Sequence, residues 1–165
     1  MKITIKDCDL AICKELDLWL SNEKILNHAM FDQTFTDEYK YYHNEKNGFD
    51  EKIFEKVIYI DNMLMAYVVL IYYEENGIKE VAFNPIVINP IYHNQGYGKK
   101  ILNHLINYIE LIINEKVDFF NASISINNEI SIKLFTSLGF KQIGACKDKT
   151  YIYYGLKNDE SNKYR

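Results

Sequence analysis

The chain reads as α/β (α+β): a single domain over residues 1–165, with a mixed, mostly antiparallel central sheet of about six to seven strands flanked by helices. Three observations predict this class. Seven β-rich stretches recur along the sequence. Two joints between them, Asp61-Asn62 and Asn76-Gly77, have the composition of tight hairpin turns, which make neighbouring strands antiparallel. A long amphipathic helical pattern over 97–113 stands between two of the strands and needs a sheet to pack on. With 48% hydrophobic and 25% charged residues the composition is that of a globular protein, and no repeat, linker or low-complexity segment marks a second domain.

Taken in order, Lys2–Lys6 alternates and is the first strand. Asp7 or Asp9 caps a helix in which Leu10, Cys13, Leu16 and Leu20 recur at helical spacing. From about Ser21 to Lys56 charge is mixed with aromatics (Phe31, Phe35, Tyr39, Tyr41, Tyr42, Phe49 and Phe54). Helical segments joined by loops are expected there, with a turn at Asn47-Gly48. Val57–Ile60 and Met65–Tyr73 make a hairpin, and Glu74-Glu75-Asn76-Gly77 turns the chain into the strand Glu80–Ile88. Pro85 removes a ladder donor inside that strand, which must therefore be bulged, lie at an edge, or part from a neighbour.

In the helix from Tyr97 to Ile113, Tyr97, Ile101, Leu105, Tyr108 and Ile112 share one face, which Leu102, Ile106, Ile109 and Ile113 widen. Phe119–Ile126 is the next strand. Asn127 or Asn128 caps a short helix carrying Ile130, Leu134 and Leu138, and Gly139 ends it. Phe140–Cys146 and Thr150–Leu156 close the sheet, turning at Asp148-Lys149.

The stretch with chemical content joins Ile86-Val87-Ile88-Asn89-Pro90 to Gly96-Tyr97-Gly98 and the helix behind them. Glycines let the main chain turn tightly and approach a ligand. The unpaired N–H groups of a helix's first turn, with its dipole, attract anions. This strand–loop–helix is thus a candidate phosphate site. It is neither a dinucleotide fingerprint, since the third glycine is missing, nor a nucleoside triphosphate loop, since no G-x-x-x-x-G-K-[ST] occurs.

Composition excludes other classes. A net charge of −4 with a single arginine, Arg165, argues against a nucleic-acid footprint and leaves phosphate to backbone amides and lysine. The N-terminus lacks a signal-peptide core, and the longest apolar run, Met63 to Tyr73, is too short for a membrane-spanning helix. Cys8, Cys13 and Cys146 have no metal-like or C-x-x-C spacing, so reduced thiols in a cytoplasmic protein without a metal are expected.

Ile88-x-Pro90-x-x-His93-x-x-Gly96-x-Gly98 resembles the acyl-CoA signature V-x-P-x-x-[R/Q]-x-x-G-x-[G/A] of the GNAT superfamily of N-acetyltransferases. A second block, Asn128-x-x-Ser131-x-x-Leu134-Phe135-x-x-x-Gly139-Phe140, is similar to that family's N-x-x-A-x-x-L-Y-x-x-x-G-F. The two blocks span roughly residues 78–157. The resemblance implies a GNAT-like sheet with a splay between two central strands and acetyl-CoA as co-substrate. It makes His93, Asn94, Gln95, Gly96, Tyr97, Gly98 and Lys99 the pyrophosphate loop. Ile86, Val87 and Ile88 become the strand that the pantetheine arm joins, with Asn128 beside it and Phe135 near the thioester.

Two residues depart from the family pattern: His93 replaces arginine or glutamine, and Phe135 replaces a tyrosine that protonates the leaving thiolate. Tyr92, Tyr97, Tyr151 and Tyr153 are possible substitutes. A lysine-like amine costs about 4.6 kcal/mol to neutralise at pH 7, so a positioned base helps. Glu80 is the candidate, sharing strand parity with Ile86 and Ile88 unless a bulge at Pro85 resets it. His28, His43 and Glu45 lie in the N-terminal part that would wall the acceptor, whose aromatics offer cation–π contacts.

The expected function is acetyl transfer from acetyl-CoA to a primary amine of a small molecule or peptide, by direct attack, in a monomer or homodimer. A non-catalytic CoA-binding or sensing module of the same fold is the alternative.

Overall fold

The computed structural model describes residues 1–22, 33–44 and 51–159. Phe31, Phe49, His28, Glu45, Asn47-Gly48 and Arg165 lie outside the described residues. Seven strands form one sheet: β1 Ile3–Asp7, β2 Lys52–Ile60, β3 Met63–Glu75, β4 Ile78–Ile88, β5 Phe119–Ser125, β6 Lys141–Ala145 and β7 Tyr151–Lys157, in the order β1-β2-β3-β4-β5-β7-β6. All pairs are antiparallel except β4–β5.

The hairpins follow their turn residues. Asp61 and Asn62 both have positive φ, as do Asn76 and Gly77, the conformation that a two-residue hairpin requires. β2 begins at Lys52, in a stretch expected to be helix or loop. Glu55 is a charged residue at a buried position, so Lys52-Ile53-Phe54-Glu55-Lys56 lacks the alternation that marks a strand.

Helices cover both faces. Helix α1, Leu10–Asp17, is capped by Asp9, whose side chain accepts from the Ile12 amide. A 3-10 turn, Leu18–Ser21, and helix α2, Phe35–Asn44, follow. On this face Cys13, Leu16, Trp19 and Phe35 pack against Val57, Tyr67, Val69 and Val87 of the sheet. Helix α3, Tyr97–Ile113, lies on the other face and buries Ile101, Leu102, Leu105, Ile109 and Ile113 against Val68, Leu70, Val81 and Phe83. At about 1.5–3 kcal/mol per buried side chain, those five hold α3 to the sheet. Helix α4, Glu129–Thr136, is capped by Asn128, which accepts from the Ser131 amide at 3.1 Å.

Two of the three consequences expected of Pro85 occur together. Against β3 the strand is bulged: Leu70 faces Phe83 and Val68 faces Ile86, so Val69 opposes both Asn84 and Pro85. Against β5 the strand parts. Pairing stops at Ala82–Asn121, and from Phe83 onward the two strands diverge.

Candidate active site

The parted strands make the site. A cleft of about 150 Å³ opens between Phe83–Ile86 of β4 and Ala122–Ser125 of β5, floored by α4 at Asn128, Ser131 and Phe135. Its outer wall is α2, through Glu38 and Tyr42.

The exposed edge of β4 is chemically defined. The Asn89 amide donates to the Met65 carbonyl at 2.8 Å, and Val87 stands opposite Tyr67 two residues back. Antiparallel ladders alternate bonded and non-bonded pairs, so Val87 bonds to β3 while the N–H and C=O groups of Ile86 and Ile88 point to the β5 side. There β5 has already departed. These groups form an unpaired strand edge, apart from the Ile88 carbonyl, which accepts a 2.9 Å hydrogen bond from His93 Nε2. Val87 differs from its neighbours: its side chain is buried on the opposite face.

The loop beyond Pro90 is preformed. Asn89 Oδ1 accepts from the Ile91 amide at 3.2 Å and its Nδ2 donates to the Leu64 carbonyl at 3.0 Å, fixing the short turn Pro90–Tyr92. Gly96 caps α3 in the left-handed region (φ 78°, ψ 4°), where an L side chain is strained. Gly98 serves a different end. A Cβ there would meet Leu134 Cδ2 at 3.4 Å and Ile88 Cγ1 at 3.6 Å, ordinary contact distances, so the position faces α4 and β4. The amides of Asn94, Gln95, Gly96, Tyr97, Gly98 and Lys99 have no hydrogen-bond acceptor among the described residues. Six unpaired donors at a helix N-terminus, with exposed Lys99 and Lys100 alongside, suit a diphosphate. The residues present fit coenzyme A: anion donors at one end of the cleft and an unpaired strand edge along it.

Phe135 is on the cleft floor, 2% exposed and edge-on to Phe140 (5.0 Å) and Phe83 (6.1 Å). It shapes the apolar end and carries no proton. Tyr92, Tyr97, Tyr151 and Tyr153 do not line the cleft.

The parity that would align Glu80 with Ile86 and Ile88 is lost at the bulge. Val81 and Phe83 pack with Ile86 and Ile88 on the α3 face, so Glu80 points to the opposite face. Its Oε2 accepts from the Tyr73 hydroxyl at 3.0 Å and from Asn121 Nδ2 at 2.8 Å, in the part of the sheet where β4 and β5 are still paired. Glu80 is thus a tether between strands, off the cleft.

Sequence reasoning missed the carboxylate and phenol that do line the cleft. Glu38 and Tyr42 stand four apart on α2, the spacing that puts two side chains on one helix face. Burial first, then the neighbouring Glu38, raise the Tyr42 phenol well above its ordinary range. Behind them lies Glu55, buried, with Oε2 accepting from the Tyr67 hydroxyl at 2.8 Å and Oε1 3.3 Å from His43 Nδ1. Burial pushes the Glu55 carboxyl upward, against the opposing effects of Tyr67 and His43. Oε1 has no hydrogen-bond partner among the described residues, because His43 Nδ1 donates to the Tyr39 carbonyl at 2.8 Å. Of the aromatics expected around an acceptor, Phe35 is core, edge-on to Tyr67 at 5.0 Å, and Tyr39 stacks on His43.

Among the described residues no group of His, Cys, Asp and Glu could hold a metal ion, and no helix is long and apolar enough to cross a membrane. Residues 19–140 match the model of the acetyltransferase (GNAT) family. No curated protein matches the chain. Solved structures share the fold at low identity, among them three N-acetyltransferases. The spermidine N-acetyltransferase of Vibrio cholerae, in complex with CoA and spermine, is 16% identical with a TM-score of 0.74, over 99% of this chain and 98% of that one. The aminoglycoside N(6′)-acetyltransferase of Legionella pneumophila is 16% identical with a TM-score of 0.77, over 100% and 98%. The ribosomal-protein-S18-alanine N-acetyltransferase of Escherichia coli is 18% identical with a TM-score of 0.61, over 96% and 95%.

Proposed function

The chain belongs to the acetyltransferase (GNAT) family, and from that premise we propose that it transfers an acetyl group from acetyl-CoA to a primary amine by direct attack on the thioester. One observation carries this reading: the unpaired edge of Ile86 and Ile88 and the six unpaired amides of Asn94–Lys99 stand at one parted strand. A pantetheine arm would add to that edge as an extra strand, and its diphosphate would take the amides. Asn128 and Ser131 would face the arm and Phe135 the acyl end. Hydrogen bonds to a charged group contribute about 1.5–3 kcal/mol each, so the six amides would supply a large share of the affinity for the diphosphate.

The acceptor is a primary amine of a small molecule or a peptide. The three structural neighbours are named for a polyamine, an aminoglycoside and a protein alanine, so the fold does not choose among these. A CoA-binding module without turnover is the second reading, favoured by the missing hydroxyl at Phe135. Calorimetry with acetyl-CoA tests the shared premise: no saturable heat at millimolar ligand removes both. Thiol release with a polyamine, an aminoglycoside and a peptide then separates them. Release with any one supports transfer, and binding without release across the panel supports the module.

A further inference from the structure

We propose that Glu38 and Tyr42 of α2 form the proton relay of this site, Glu38 taking the proton of the attacking amine and Tyr42 handing one to the departing sulfur. The inference rests on the acetyl-transfer reading above and deepens it. The cleft needs an acid and a base, and the two residues the sequence offers for those tasks are unsuited: Phe135 has no hydroxyl, and Glu80 is tied to Tyr73 and Asn121 off the cleft. Glu38 and Tyr42 line the same cleft as Phe135, on the wall across from the parted strands. They stand four apart on one face of α2, where neighbouring side chains meet, so a proton received by one has a short path to the other.

The step balances as follows. The ammonium of the acceptor loses one proton to solvent, and its nitrogen forms a bond to the thioester carbon. The second nitrogen proton passes to Glu38. As the C–S bond breaks, its electron pair goes to sulfur, which takes the hydroxyl proton of Tyr42; Tyr42 recovers a proton from Glu38. The products are an amide, a free thiol and one solvent proton. Burial and Glu38 oppose a free tyrosinate. The two transfers on Tyr42 must therefore be concerted, which the placement of Glu38 one helical turn away permits.

Test variants are Glu38→Gln, Tyr42→Phe and their double, each checked by thermal melting. Each single change lowers kcat about 10²–10³-fold with the best acceptor, the range of general acid–base catalysis, while CoA affinity by calorimetry stays within about threefold. Groups acting in series are non-additive, so the double variant is no slower than the slower single one. Should Glu38→Gln disturb α2, Glu38→Asp reads the same loss with the charge kept.

Thiol titration of bound CoA, followed by thiolate absorbance against the desulfo-CoA complex, gives a readout apart from turnover. Among the described residues, Glu38, Glu55 and Tyr41 are the titratable groups whose charge acts on Tyr42. Removing the Tyr42 hydroxyl raises the thiol by about one unit, because a donor to the thiolate is lost. Wild-type kcat in both single variants, multiplicative losses in the double, or an unmoved thiol titration overturns the relay. Absence of CoA binding by the wild-type protein overturns the acetyl-transfer reading instead.

Discussion

Gly96 and Gly98 are one residue apart in one motif, yet the structure gives them opposite responses to the same substitution. At Gly96, φ is +78° and a Cβ would meet nothing within 4 Å, so the cost of Gly96→Ala is purely conformational. Placing an L residue in the left-handed region costs about 1–2 kcal/mol. The stiffer unfolded chain returns about 0.4–1 kcal/mol. The net loss is about 0.5–1.5 kcal/mol, or a melting shift of about −1 to −6 °C at this chain length. At Gly98 the backbone is helical and the new methyl would touch Leu134 and Ile88 at ordinary contact distance. Helix propensity then favours alanine by up to about 1 kcal/mol, so Gly98→Ala melts at or slightly above wild type.

Binding separates the two further. The Gly96 turn joins the six unpaired amides to α3, and relaxing it by about 1–1.5 kcal/mol weakens CoA about five- to tenfold. At Gly98 the methyl points into the protein, toward α4 and β4, so the CoA dissociation constant stays within about threefold of wild type. Differential scanning calorimetry and isothermal titration with CoA measure both quantities on the same samples. A Gly98→Ala protein that loses CoA while Gly96→Ala keeps it would refute the division of labour argued here.

Other outcomes follow from the same structure. Glu80→Gln keeps kcat within about threefold of wild type, because Glu80 is off the cleft, and lowers stability by about 1 kcal/mol through its weakened bonds to Tyr73 and Asn121; a hundredfold loss of kcat at wild-type stability would restore Glu80 to the chemistry. The Glu55 carboxyl is raised by burial despite Tyr67 and His43 and with help from Glu38. Below its unfolded value of about 4.3 both states are protonated and burial carries no charge penalty; stability is lost as pH rises through the higher folded value. Glu55→Gln therefore melts close to wild type near pH 4.5 and increasingly above it toward pH 8, and a pH-independent difference counts against a buried, titrating Glu55. Cys8 and Cys13 are buried, with sulfurs 3.4 Å apart, and their mutual hydrogen bond and burial push the Cys8 thiol up. Native protein accordingly gives one fast iodoacetamide adduct, at Cys146, and three in denaturant by mass spectrometry. A Cβ at Gly155 would sit 2.4 Å from Phe119 Cζ, so Gly155→Ala costs about 1–3 kcal/mol, read in urea melts.

Much of this was legible because local chemistry dictates local structure. The Asn-Gly turn, the Asn128 cap and the face of α3 follow from two- to four-residue rules, and the observed bounds of α3 are those its periodicity predicts. The glycine loop was legible for the same reason, since a turn and a helix start are both short-range events. Long-range facts were hidden. Cys8 and Cys13 have no paired spacing, yet the bend into α1 brings their sulfurs together. Glu38 and Tyr42 sit on a helix whose surroundings lack clear periodicity, and only the fold carries that helix to the parted strands. The early start of β2 was hidden because Glu55 puts a charge at an inward position, where it accepts from Tyr67, a pairing across 12 residues that no window of the sequence displays.

The extra residue opposite Val69 explains both what the sequence shows of this site and what it conceals. A strand without it would keep one parity from Glu80 to Ile88 and place the carboxylate on the same face as Ile86 and Ile88. One inserted residue flips every side chain beyond it. Ahead of the bulge Glu80 joins the α1–α2 face; past it Ile86 and Ile88 join the α3–α4 face. At the same point the strand leaves β5, and Pro85, with no N–H to give, adds no orphan donor to the opening. The bulge thus creates a strand edge for a ligand and removes from it the carboxylate that the linear sequence offers. A base for the chemistry must come from another layer of the fold, and α2 is the layer that reaches the gap.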